Sequence, residues 1–203
     1  MKSIKLNRIF VKIIFIFCSL VIASSLALAD AKTDGDKGIA EYRKGNLIES
    51  MLLLEKSAGK GYAPAQVTLA YILDKSEQDT QALHWYQQAA NNNYPAGLFG
   101  LGNMYATGEG TEKDPQKAGQ MIEKSALLGH LPAMRAYAYA LEYGQLGFSQ
   151  NNSSAAEWYL KSADSGDKDS MRRLKKAFTL GQLGLPVNLQ QATIWDSKIK
   201  TEN

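Results

Sequence analysis

Small and large apolar residues recur along this chain at helical spacing. In Ala82, Trp85 and Ala89 a small, a large and a small residue stand at i, i+3 and i+7, which puts all three on one helix face. The same triplet returns as Ala118, Met121, Ser125 and as Ala155, Trp158, Ser162, and a last copy runs Ala192, Trp195, Ile199. The leading alanines are 36, 37 and 37 residues apart. A period of that length is the signature of a repeat architecture, in which each unit buries its apolar face against its neighbours.

A second apolar series precedes each triplet. Ala65, Leu69, Ala70 and Leu73 match Gly97, Leu101, Gly102 and Tyr105, and then Ala133, Tyr137, Ala138 and Leu141. Ser170, Leu174 and Phe178 continue it, with Lys175 at the small-residue position. Gly102 and Ala138 inside helices imply close approach of a neighbouring helix, because glycine costs about 1 kcal/mol relative to alanine there.

The punctuation between the series fits helix ends. Gly108, Gly144 and Gly181 come three residues after the last apolar members Tyr105, Leu141 and Phe178, where a helix C-terminal glycine belongs. Asp114, Asn151 and Asn188 stand four residues before the second-helix alanine and are natural N-caps, with Pro115 at a first helical position. Pro64, Pro95 and Pro132 open first helices, while Gly129, Gly166 and the run Asn91–Asn93 mark returns. The unit is helix, glycine loop, capped helix, tight return.

This pattern resembles the Sel-like repeat family, relatives of the tetratricopeptide repeats. The resemblance rests on Leu101-Gly102-x-x-Tyr105-x-x-Gly108-x-Gly110, then Asp114-x-x-Lys117-Ala118, then Lys124-Ser125-Ala126-x-x-Gly129. The last copy keeps Gly184-x-Pro186-Val187-Asn188-x-x-Gln191-Ala192. It implies an all-α fold, a right-handed solenoid of antiparallel helix pairs. The expected organisation is a degenerate first repeat at 38–62, then repeats at 63–94, 95–130 and 131–167, and a C-terminal repeat or cap at 168–203. The copy at 63–94 has a short loop without glycine, Asp74–Gln81, and residues 30–37 are polar and expected to be flexible. Trp85, Trp158 and Trp195 are expected between repeats, in the core.

In such a stack the first helices line a concave face. Its exposed positions fall two before and two after the leucine-like residue. They give Val67 and Tyr71, Phe99 and Asn103, Arg135 and Tyr139, Arg172 and Lys176, with Tyr143 one turn beyond Tyr139. The row passes from aromatic to basic. In the related tetratricopeptide proteins these positions bind extended peptides, and Asn103 resembles the asparagine that holds peptide backbone there. Arg135 and Arg172 are suited to pairing carboxylates in two-pronged fashion, and the tyrosines offer rigid contact area with a polar tip.

The N-terminus carries a different signal. A basic start (Lys2, Lys5, Arg8, Lys12), the apolar stretch Ile13–Ile22 and Ala27-Leu28-Ala29 describe a secretory signal peptide over 1–29, cut between Ala29 and Asp30. The product would be periplasmic or secreted, meeting the membrane only during export. Removing those four cations takes the formal charge from +3 to −1, so the sequence pI near 8.8 belongs to the precursor. With no cationic excess left to neutralise phosphates, nucleic acid is not an expected partner. The single cysteine, Cys18, lies in the apolar stretch, leaving the exported chain without a disulfide framework or a cysteine metal site.

Enzymatic motifs are weak. Ser57-x-x-Lys60 and Ser165-x-x-Lys168 fit S-x-x-K, the nucleophile motif of serine β-lactamases, and some Sel-like repeat proteins are linked to penicillin binding. Neither S-D-N nor K-T-G accompanies them, and Ser57 occupies the repeat's own serine position, equivalent to Ser125 and Ser162. His84 and His130 fall in different hairpins without a carboxylate at metal-site spacing. Gly108-x-Gly110 is the repeat's loop and lacks the third glycine of a dinucleotide site. The expectation is a non-catalytic module or scaffold, with no cofactor or metal, that grips a protein or peptide partner of the cell envelope. A cell-wall or β-lactam hydrolase and a peptidoglycan-binding protein are the alternatives.

Overall fold

The computed structural model describes residues 28–201, and every regular element among them is α-helical. Helix α1 covers 28–43 of the described chain. It is followed by α2 (Leu47–Gly59), α3 (Ala63–Lys75), α4 (Asp79–Asn91), α5 (Pro95–Thr107), α6 (Pro115–Leu127), α7 (Leu131–Tyr143), α8 (Asn152–Asp164), α9 (Lys168–Leu180) and α10 (Leu189–Thr201). The nine from α2 onward are each 13 residues long. No helix among the described residues is long and apolar enough to cross a membrane. The expected signal peptide at 1–29 lies almost wholly outside the described residues.

The chain divides after Leu69 into two compact units. In the first, α1 corrects the expectation of a flexible 30–37. Those residues are helical because Ala31 is fully buried and its carbonyl accepts the Ser57 hydroxyl of α2. Gly35 has room for no side chain, since an added Cβ would lie 2.4 Å from the Tyr62 ring. Ser50 repeats the pattern by donating to the Gly38 carbonyl at 2.9 Å. The first hairpin therefore begins well before residue 38.

In the second unit each helix from α4 to α10 packs on its sequence neighbours. The expected caps form. Asp114, Asn151 and Asn188 accept the backbone N–H of Lys117, Ser154 and Gln191 at 2.9, 3.0 and 3.0 Å. Gly108, Gly144 and Gly181 take left-handed φ of 88°, 64° and 67° and end α5, α7 and α9. In each of the three loops the N-cap N–H also returns to a carbonyl of the preceding helix at 2.8 Å: Asp114 to Tyr105, Asn151 to Leu141, Asn188 to Phe178. The glycine-free loop between α3 and α4 shrinks to three residues and uses Glu77 at φ 59°.

The expected core position holds for Trp195, holds in part for Trp158, which packs against the core, and needs revision for Trp85. The deeply buried aromatics of α4 and α8 are Tyr86 and Tyr159, one position after Trp85 and Trp158. In these two helices the residue at i+4 from the alanine, not i+3, points most directly into the core. Trp85 is half-buried, edge-on to His84, and half-buried Trp158 packs edge-on against Tyr137 at 5.2 Å. Trp195 is buried. Small residues sit where helices meet: a Cβ on Gly100 would fall 2.3 Å from the Tyr86 ring and one on Gly102 2.9 Å from Ile122.

Candidate functional site

Helices α5, α7 and α9 place the candidate residues at the one-turn spacing the sequence suggests, but not as one uniform row. Asn103 (α5), Arg135 and Tyr139 (α7) line a single hollow of about 440 Å³, together with Ile122, Gln145, Leu146, Tyr159 and Asp169. Tyr143 and Lys176 line a second hollow of about 490 Å³, with Glu142, Gln150, Asn152 and Gln182. Arg173 borders both. The rings of Tyr139 and Tyr143 are 4.5 Å apart and tilted by 44°, and the two residues are 49% and 53% exposed. This is an unusual amount of aromatic surface left to solvent, and it joins the two hollows.

The other candidates stand apart from both hollows. Tyr71 (α3) is exposed, with the Lys75 ammonium 5.6 Å from its ring. Phe99 (α5) is half-buried and packs against the His130 ring at 5.2 Å, so it supports α7 instead of facing a partner. Val67 is likewise half-buried. Arg172 (α9) is exposed and donates to Asp169 at 2.6 Å.

Charge pairing changes the reading of the arginines. Arg135 donates to Asp167 at 3.0 Å and also to Asp169, whose carboxylate thus bridges Arg135 and Arg172. Asp167 is itself the N-cap of α9, accepting the Ser170 N–H at 2.7 Å. The anticipated readiness of Arg135 and Arg172 for a partner's carboxylates is therefore corrected: both guanidinium groups already hold carboxylates of this chain.

Arg173 and Glu142, which the sequence pattern did not single out, form the best-built pair. Arg173 Nη2 reaches Glu142 Oε1 at 2.6 Å, its Nε reaches both carboxylate oxygens at 3.1 Å, and its Nη1 donates to Gln182 at 3.1 Å. The Tyr159 hydroxyl donates to Glu142 Oε2 at 3.0 Å. Burial pushes the Glu142 carboxyl upward, but the guanidinium and the tyrosine hydroxyl prevail and hold it below the ordinary carboxylate range. The network fastens α7, α8 and α9 beneath the exposed tyrosines. One signal for it was present: Glu142 is the one acid of α7, beside the core position Leu141.

The serine motif has a structural explanation. Ser57 is fully buried and bonded to Ala31, and Ser125 donates to the Pro95 carbonyl at 2.7 Å, so in these two copies the serine ties a second helix to the start of the preceding first helix, whereas the buried Ser162 hydroxyl makes no such bond. Ser165 spends its hydroxyl on the Lys161 carbonyl at 2.9 Å. Among the described residues no group of three or more His, Cys, Asp or Glu side chains is placed to hold a metal ion.

Capped helical hairpins of constant length, joined by glycine loops and stacked on their neighbours, define a helical-repeat protein of the solenoid class. Three successive stretches, 63–94, 95–130 and 131–167, match the Sel1 repeat, and the chain belongs to the Sel1 repeat family. A Sel1 repeat protein of Oxalobacter formigenes has a similar fold, with 27% identity, a TM-score of 0.77 and coverage of 88% of this chain and 76% of that one. Protective antigen c5321 of uropathogenic Escherichia coli shares the fold at 23% identity and a TM-score of 0.73, covering 85% of this chain and 38% of that one. Among curated proteins, NMB1327 of Neisseria meningitidis is 30% identical over 106 residues and chitin synthase regulatory factor 3 of Schizosaccharomyces pombe is 32% identical over 115. These matches take in 52% and 53% of this chain but only 22% and 12% of the relatives.

Proposed function

We propose that this chain is a non-catalytic protein-interaction module that holds a segment of a partner along α5, α7 and α9, and that it does so as a scaffold in the bacterial cell envelope. The observation that carries the binding face is the meeting of Asn103, Arg135 and Tyr139 around one 440 Å³ hollow, capped by an exposed tyrosine pair. A preformed face of rigid aromatics and amides binds with little ordering cost. The names of relatives fit such a role: one is a regulatory factor of chitin synthase, and another, 28% identical over 121 residues with 18% of its length matched, is the HRD3A component of an Arabidopsis thaliana ubiquitin ligase. The envelope location is supported by the basic, apolar and small-residue sequence of 1–29.

The test is affinity capture of the tagged protein from envelope extracts, with each captured protein quantified against variants. Tyr139→Ala is expected to reduce the specific partner at least about tenfold, as truncation of an aromatic anchor does. Gln120→Ala, exposed on α6, is expected to leave it unchanged. The reverse pattern would move the interface to the other helix layer. Cell fractionation with N-terminal sequencing checks the location: an envelope product beginning at Asp30 is expected, and a cytoplasmic chain retaining Met1 would contradict it.

A further inference from the structure

The two adjoining hollows differ in what they leave unsatisfied. Around the 440 Å³ hollow, Arg135 is neutralised by Asp167 and Asp169, and Ile122, Leu146 and the Tyr139 ring supply apolar wall. Around the 490 Å³ hollow, Arg173 and Glu142 cancel. Both oxygens of Glu142 are taken by Arg173 and Tyr159, and the amide oxygen of Gln182 is taken by Arg173. What remains there is the Lys176 ammonium, exposed and without an ion pair among the described residues, the amide N–H₂ of Gln182, and the neutral amides of Gln150 and Asn152. The second hollow thus offers a net positive charge and spare donors, and its one carboxylate has no oxygen to spare.

We propose that the 490 Å³ hollow receives an acidic side chain of the bound peptide at Lys176, while the neighbouring 440 Å³ hollow takes an apolar or aromatic side chain of the same peptide. The inference rests on the groove reading above and gives it a chemistry and a direction: the apolar residue lies toward α5 and the acid toward the α9–α10 loop. Charge complementarity selects the occupant. A basic peptide would meet Lys176 with no free carboxylate to oppose it, and a wholly neutral one would leave the ammonium's donors unmatched once water is excluded. The internal pairing of Arg135 and Arg173 sharpens the choice, because it confines the spare positive charge of these two hollows to Lys176.

The experiment is selection of peptides from a random twelve-residue phage-displayed library on the purified full chain. It is repeated on Lys176→Glu and on Tyr139→Ala, with circular dichroism melts to confirm that both fold. The wild type is expected to enrich peptides with an acid at fixed spacing from an aromatic or aliphatic residue. Lys176→Glu is expected to weaken those peptides about tenfold or more and to enrich Lys or Arg at the acidic position. Lys176→Gln is expected to fall between. Peptides that lose binding with Tyr139→Ala but carry no acid, or ignore Lys176→Glu, would overturn this proposal and leave the groove reading standing. Peptides indifferent to both variants, or no enriched peptide at all, would overturn both.

Discussion

At the residue scale the strongest local dependence is the Glu142–Arg173 pair. Removing the guanidinium leaves a buried carboxylate that keeps only the hydroxyl partners, so Arg173→Met is expected to destabilise the fold by about 2–4 kcal/mol in urea unfolding. A loss under 0.5 kcal/mol would show that the carboxylate finds water. The pair also predicts a pH dependence. The Glu142 carboxyl is held below its ordinary range in the fold, so its contribution is complete above the unfolded value of about 4.3 and is lost as pH falls through the lower folded value. Stability measured from pH 6 to pH 3 should therefore fall less steeply for Glu142→Gln than for the wild type, and parallel profiles would contradict the assignment. Gly100 gives a steric counterpart. An added methyl group would collide with buried Tyr86, so Gly100→Ala is expected to cost about 1–3 kcal/mol despite alanine's better helix propensity, read as a lowered Tm.

At the element scale the fold was largely legible, and the reason is locality. A cap is a bond between a side chain and a backbone N–H three residues on, so Asp114, Asn151 and Asn188 announce it in their own neighbourhood. Asn151→Ala is accordingly expected to lower stability by about 1 kcal/mol, and Asn151→Asp to retain most of it, by chemical denaturation. The left-handed glycines are legible for the same reason. The helical start of the described chain was not, because residues 30–37 are polar in composition and are ordered by the burial of Ala31 and by tertiary contacts to Ser57 and Tyr62. The site was half legible. One-turn spacing on α7 brought Arg135, Tyr139 and Tyr143 to one face, whereas Arg135–Asp167 and Glu142–Arg173 join residues 32 and 31 apart in sequence. Periodicity places a residue on a face but does not say which charge on the next repeat it will meet, so arginines that looked available prove engaged.

At the scale of the whole molecule, regular hairpins of the Sel1 repeat family create a surface whose chemistry differs from place to place while the backbone repeats. The same alanines, serines and caps recur because stacking requires them, and the positions free of that duty carry Asn103, Tyr139, Tyr143 and Lys176. The C-terminal repeat shows the converse. At the core position held by Tyr86, Ile122 and Tyr159, α10 carries Asp196, and at the small-residue position of α9 stands Lys175, paired with it. The Lys175 and Lys200 ammonium groups hold the Asp196 carboxyl down to about 2, a polar finish where the inner repeats are apolar. The central claim is that a partner protein lies along α5, α7 and α9. It is tested most directly by a photo-activated cross-linker placed in living cells at Asn103, on the rim of the 440 Å³ hollow, and at Gln120 on α6. A discrete protein adduct from Asn103 and none from Gln120 is the result expected, while adducts from Gln120 alone would contradict the account.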